Sequence, residues 1–168
     1  VVYMNVHALD LNTIRGFGRK KPFLMGAFLM GALGIGGLPL WNGYVSKTLL
    51  HESIVEYAAH IAAHGHNPIL FQAVEWIFLF SGGLTVAYML KLFVCLFVEK
   101  NAEKQEQYDA KTGYMSLLSK TVIGLAAVIL PVMGFFPGLT MDKIADAVMG
   151  FMRSGHLHHK VHYFTWAN

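Results

Sequence analysis

Three long apolar blocks separated by short polar stretches organise this chain. The first opens as FLMGAFLMGALGIGG from Phe23, is interrupted at Gly36-Gly37-Leu38-Pro39, and resumes at about Asn42, growing more polar toward Ala63. Pro39 removes a backbone donor and disfavours helix at the residue before it, while the paired glycines let the chain bend. The pattern predicts a discontinuous transmembrane helix over 23–63, broken around Gly36, Gly37, Pro39 and Gly43. Irregular backbone at membrane depth is tolerated only where protein or water covers the freed polar groups, so the break marks a polar path. The second block, Ile69 to Val98, has 30 residues. As a helix it is about 45 Å long against a hydrocarbon core of about 30 Å, so it must tilt or protrude. The third, Tyr114 to Phe136, ends at Pro137-Gly138.

The polar stretches complete the frame. Residues 1–8 read as the end of a preceding helix, and 9–22 as a loop holding Arg15, Arg19, Lys20 and Lys21. His64 to Pro68 closes the first block as a turn, and 99–113 is a hydrophilic connection with charges of both signs. Over 139–153, Ile144, Ala145, Val148 and Met152 recur at helical spacing, with Asp142, Lys143 and Asp146 elsewhere, which predicts an amphipathic surface helix before a tail at 154–168. The expected fold class is an all-α membrane protein with three transmembrane helices, the first discontinuous, plus a C-terminal amphipathic helix. Lys and Arg fill 9–22 and 99–113 but are absent from His60 to Pro68. In the cell (inner) membrane this bias makes the basic loops cytoplasmic and places the turn and the tail outside.

Composition narrows the class. The chain is 55% hydrophobic and 14% charged, with a mean hydropathy of +0.46. These values exclude a disordered or nucleic-acid-binding protein and leave the lipid bilayer as the natural solvent. A formal net charge of +3 is too small to demand an anionic partner. Val1 is not an initiator methionine, and the opening lacks the charged start and apolar core of a signal peptide, so a fragment of a longer chain is expected. Cys95 is the single cysteine, which rules out an internal disulfide and a thiolate cluster. No cofactor is expected in this chain, and any redox metal belongs to another.

Ionisable groups inside apolar blocks are costly, and so they are candidates for function. Lys47 stands just beyond the break. Desolvation disfavours a buried ammonium, so such a lysine can load and release a proton, with broken-helix carbonyls and the nearby His51 stabilising the charged form or accepting the proton. The blander alternative, a lysine snorkelling to an interface, fits poorly beside a helix break. His51, one turn on, is either a packed histidine or the relay partner of Lys47. Lys91, inside the second block, is either a secondary charge on the path or a long stem carrying its head to the cytoplasmic surface beside Glu99. Glu52 and Glu56 fit an outer surface or an exit, and Glu75 reads as a helix-end carboxylate. In the tail, His156, His158, His159 and His162 lack an accompanying carboxylate or cysteine, so a solvated tail with an aromatic interface anchor from Tyr163 to Trp166 is expected instead of a metal site.

The segment from Gly37 to Lys47, Gly-Leu-Pro-Leu-Trp-Asn-Gly-Tyr-Val-Ser-Lys, resembles the Gly-x-Pro-x-x-x-Gly-Phe-x-Ser-Lys signature of the antiporter-like membrane subunits. That family supplies the proton-pumping subunits of respiratory complex I, the membrane subunits of energy-converting hydrogenases, and the large subunits of Mrp-type Na+/H+ antiporters. Tyr44 replaces the usual Phe. Val6 to Gly18 is similar to the link after the family's eleventh helix, and Ala87 to Phe93 to a Tyr-x-x-Arg/Lys pattern in its thirteenth. The resemblance implies the end of helix eleven through helix fourteen of a fourteen-helix fold, built from two inverted repeats that each contain a discontinuous helix at the ion path. It implies that Lys47 is the terminal lysine of the second half-channel. The groups of the first half-channel would precede Val1, so the chain alone is not expected to transport.

The expected function is proton (or sodium) translocation as the C-terminal part of a non-redox subunit in a redox-driven complex, either complex I-like or an energy-converting hydrogenase. Lys47 is the expected proton-exchanging group, His51 its relay, and Lys91 a secondary charge. The alternatives are a subunit of a stand-alone Mrp-type antiporter and a structural membrane subunit. Expected partners are other antiporter-like subunits, the remaining helices of the same subunit, and a peripheral redox arm that carries iron–sulphur or nickel–iron sites.

Overall fold

A computed structural model describes residues 1–152 and Tyr163, and it is all-helical among them. The order is α1 (Val2–Val6), α2 (Leu11–Ile14), α3 (Pro22–Gly36), α4 (Asn42–Ala63), α5 (Ile69–Phe93) running into a π-helical turn (Val94–Val98), α6 (Gln105–Ala110), α7 (Leu117–Phe135), a 3-10 turn (Pro137–Leu139) and α8 (Met141–Phe151). The expected tail at 154–168, apart from Tyr163, lies outside the described residues.

Among the described residues two helices are long and apolar enough to cross a membrane, Ile69–Val98 with 30 residues and Leu117–Phe135 with 19. The expected first, discontinuous span is not among them. Residues 23–63 form two helices, α3 of 15 residues and α4 of 22, separated at 37–41. At roughly 1.5 Å per residue α3 reaches about 22 Å, short of a bilayer core. α4 is long enough, but Lys47, His51, Glu52, Glu56 and His60 keep it from being an apolar span.

The chain divides into two compact units, Val1–Ala32 with Thr85–Ile129, and Leu33–Leu84 with the residues from Leu130 onward. In the first unit Ile14, Leu96 and Phe97 are buried together, with Val2, Leu11, Met25, Phe28 and Phe93 packed around them. The π-helical turn at the end of α5 leaves carbonyls without helical partners, as any helix C-terminus does. Gly16 and Gly18 supply them: their N–H groups donate to Cys95 O and Leu96 O, each at 2.9 Å. The ring of Phe97 lies so close to Gly18 that no side chain fits there.

The two basic connections of this unit are not free loops. Tyr108 donates to Thr13 O at 2.8 Å, and Gln105 to Gly16 O at 3.1 Å. Arg15 pairs with Glu99 and Lys20 with Asp109. Lys21, which the sequence presents as one more solvated loop charge, is 2% exposed. Its Nζ donates to Phe17 O at 2.8 Å and Tyr108 O at 2.7 Å, and sits 4.3 Å above the Phe17 ring. Burial holds its ammonium below the usual lysine range, with Asp109 opposing that effect and Lys111 adding to it.

In the second unit α4 and the first part of α5 form an antiparallel hairpin, with Tyr57 against Phe71 at 4.7 Å between ring centroids. Val45, Thr48 and Ala58 are its buried residues on α4. α8 keeps the expected apolar stripe, with Ile144 and Val148 uncovered by the described residues.

Candidate functional site

The site is built where α3 ends and α4 begins. Gly37 has φ +75°, a left-handed conformation that costs glycine nothing. Its N–H donates to Gly34 O at 3.0 Å, and the N–H of Leu38 donates to Leu33 O at 3.2 Å. This paired closure is a Schellman cap, and it is why the helix stops at Gly36 rather than merely kinking at Pro39. Trp41 N–H then returns to Leu38 O at 3.2 Å and starts α4.

Small residues let the backbones meet. A Cβ placed on Gly43 would stand 1.8 Å from Gly34 O, and one placed on Gly134, near the end of α7, 2.3 Å from the Trp41 carbonyl carbon. Two polar side-chain atoms are buried in this junction without a hydrogen-bond partner among the described residues, Trp41 Nε1 and Asn42 Oδ1.

Lys47 is half-buried on the first turns of α4 and reaches back across the break. Its Nζ donates to Gly36 O at 3.1 Å, one of the orphan carbonyls at the C-terminus of α3. Its stem runs over Gly37, where an added Cβ would meet Lys47 Cδ at 2.6 Å. Gly36, Gly37 and Lys47 therefore form one arrangement: the partial negative charge of a helix end holds a cation. The same contact serves as a C-cap for α3, and either role needs the lysine in this place.

His51 lies one turn further along α4, and the bond it makes is not to Lys47. Its Nε2 is 3.2 Å from Glu75 Oε1 on α5, and its ring stacks on Phe78 at 6.3 Å. Glu75, which the sequence presents as an ordinary helix-end carboxylate, is thereby the missed member of the site. The signal was a lone carboxylate within an apolar block, although its partner is 24 residues away and no local period links them.

Lys91 falls in the other unit. There it is exposed and lines a cleft of about 440 Å³ with Arg15, Cys95 and Glu99. Tyr44, three residues before Lys47, donates its hydroxyl to Tyr163 O at 2.6 Å. Tyr163 OH donates to the Asp142 carboxylate, and burial, reinforced by that carboxylate, pushes the Tyr163 phenol well above its ordinary range. The four tail histidines lie outside the described residues. Among the described residues no group of three or more His, Cys, Asp or Glu side chains is placed to hold a metal.

No protein-family profile matches the chain, and no solved structure does. Curated relatives do match. The chain is 26% identical over 147 residues to NADH-quinone oxidoreductase subunit N of Rhodococcus opacus, covering 87% of this chain and 24% of that one. It is 31% identical over 117 residues to NADH-ubiquinone oxidoreductase chain 5 of Metridium senile, covering 67% and 18%. It is 26% identical over 141 residues to Na(+)/H(+) antiporter subunit A1 of Staphylococcus haemolyticus, covering 82% and 17%. The resemblance to antiporter-like membrane subunits therefore extends, at modest identity, over most of the chain, and the chain spans a quarter or less of the length of these relatives.

Proposed function

We propose that this chain is the ion-translocating C-terminal part of an antiporter-like membrane subunit, in which Lys47 exchanges a proton at the junction of α3 and α4. The observation that carries the reading is the seat of Lys47, whose ammonium is held by Gly36 O at the end of one helix from the start of the next. In a bilayer, α3 and α4 act together as one discontinuous crossing, because neither serves alone and an irregular junction at depth needs polar cover. Water is the group that satisfies buried atoms such as Trp41 Nε1 and Asn42 Oδ1, and it would give Lys47 a conducting neighbour. His51 receives the proton one turn on. Lys91 contributes a secondary charge.

The complex is proposed to be redox-driven, with iron–sulphur or nickel–iron sites in partner subunits and no cofactor in this chain. It sits in the inner membrane with the basic connections cytoplasmic. The similarity to a sodium/proton antiporter subunit favours one second reading, a stand-alone antiporter. Co-purification of redox subunits decides for the first, and sodium-dependent exchange without them for the second. The test of the shared core is Lys47→Ala in the complete subunit, assayed in inside-out vesicles from cells assembling the full complex. The expected result is a loss of ion translocation of at least about tenfold with assembly intact. Unchanged translocation overturns the reading.

A further inference from the structure

We infer that Glu75 is a proton-carrying group, the acceptor that takes the proton from His51 and passes it toward the 64–68 end of the α4–α5 hairpin. This rests on the reading of Lys47 as the exchanging group and adds a step after it.

The geometry is specific. His51 Nε2 and Glu75 Oε1 are 3.2 Å apart, with side chains 21% and 30% exposed, so the pair is neither fully solvated nor sealed from water. The two residues come from different helices, and Phe78, one turn from Glu75 on α5, stacks on the same imidazole and fixes the face it presents. Glu75 is the one ionisable side chain other than Tyr, Ser or Thr hydroxyls between Ile69 and Leu84. A lone carboxylate in an apolar segment is retained against its desolvation cost by a partner or a task. A neutral amide oxygen can also accept the Nε2–H hydrogen bond of His51, though without charge assistance, whereas only a carboxylate can take its proton.

The step balances. The imidazolium of His51 gives its Nε2 proton to Glu75 Oε1, the N–H bond breaks as the O–H bond forms, and the ion pair becomes a neutral imidazole protonated at Nδ1 and a carboxylic acid. Glu75 then releases the proton to water, and its carboxylate is restored. Glu75 lies six residues into α5, about 9 Å from the helix start, on the side of the hairpin turn. The other charged or titratable groups near the pair are Lys47 one turn earlier on α4, Glu52 beside His51, Glu56 beyond it, and Tyr163, which interacts with both Glu52 and Asp142.

Glu75→Gln and Glu75→Asp in the complete subunit, each within its full assembly, test the step. Ion translocation in inside-out vesicles is measured as a function of pH, alongside His51→Gln and Lys47→Ala. The expected result is at least a tenfold loss with Glu75→Gln, retained translocation with a displaced pH profile with Glu75→Asp, and no further loss when Glu75→Gln is added to His51→Gln. Wild-type rate and pH profile with Glu75→Gln overturn the step. If Glu75→Gln does not assemble, the Glu75→Asp profile decides alone: displacement supports the step and coincidence with wild type overturns it. Lys47→Ala separates the two levels, since loss there with a normal Glu75→Gln sinks only this inference, and normal translocation there sinks the reading beneath it.

Discussion

Lys21 and Lys47 both reach backbone carbonyls, one in each unit of the chain, and they differ as a structural lysine should differ from the proton-exchanging one proposed for Lys47. Lys21 gives hydrogen bonds to two carbonyls, lies over an aromatic ring and is 2% exposed, so most of its bonding capacity is committed. Lys47 is only half-buried and gives one hydrogen bond, to Gly36 O, among the described residues, beside polar atoms left unpaired in the same junction. An ammonium has three donors. A lysine with donors to spare can trade a proton without dismantling its surroundings, whereas one that closes a packed corner cannot.

The largest effect is expected at the seat of Lys47. Gly43→Ala sets a methyl against Gly34 O and should destabilise the junction by about 3 kcal/mol, with translocation falling in step. Thermal unfolding of the complete subunit in detergent measures the first effect and vesicle assays the second; a variant as stable as wild type would show that the two helices do not touch there.

Lys21→Met comes next. It leaves the carbonyls of Phe17 and Tyr108 without their donor and should cost about 2 kcal/mol, yet the pH profile of translocation by molecules that fold should stay where it was. A displaced profile would put Lys21 in the ion path and erase the distinction.

The smallest effect is a slope. Burial lowers the Lys21 value from 10.5, so between its lowered value and 10.5 the unfolded chain binds more protons than the folded one. The desolvation penalty is fully present below that window and is relieved as pH rises through it. Stability attributable to Lys21 should therefore increase toward pH 10.5, and the difference between wild type and Lys21→Met, read by unfolding at stepped pH, should carry that slope.

Local chemistry made part of this legible in advance. The Gly36-Gly37-Leu38-Pro39 run located the break, because a left-handed glycine and a proline are requirements of single positions. The stripe of Ile144, Val148 and Met152 located α8 for a similar reason, its period being written within three turns. The interruption of the first block was legible, but apolar content does not report that a Schellman closure ends α3 at 15 residues. The pairing of His51 with Glu75 and the burial of Lys21 by Tyr108 depend on segments 24 and 87 residues away. The sequence around each lysine looks like a loop or a helix start, and nothing within a few residues tells a clamp from a carrier.

The contact between Gly43 and Gly34 bears on how anything can move at this junction. With one helix's carbonyl pressed against the other's backbone and α7 closing on Trp41 through Gly134, the elbow is a weld and not a hinge. If Lys47 exchanges the proton as proposed, charge crosses by the swing of its stem across Gly37, on the nanosecond scale of side chains rather than the microsecond-to-millisecond scale of helix rearrangement. On the proposed function, gating would then belong to electrostatics around a fixed joint.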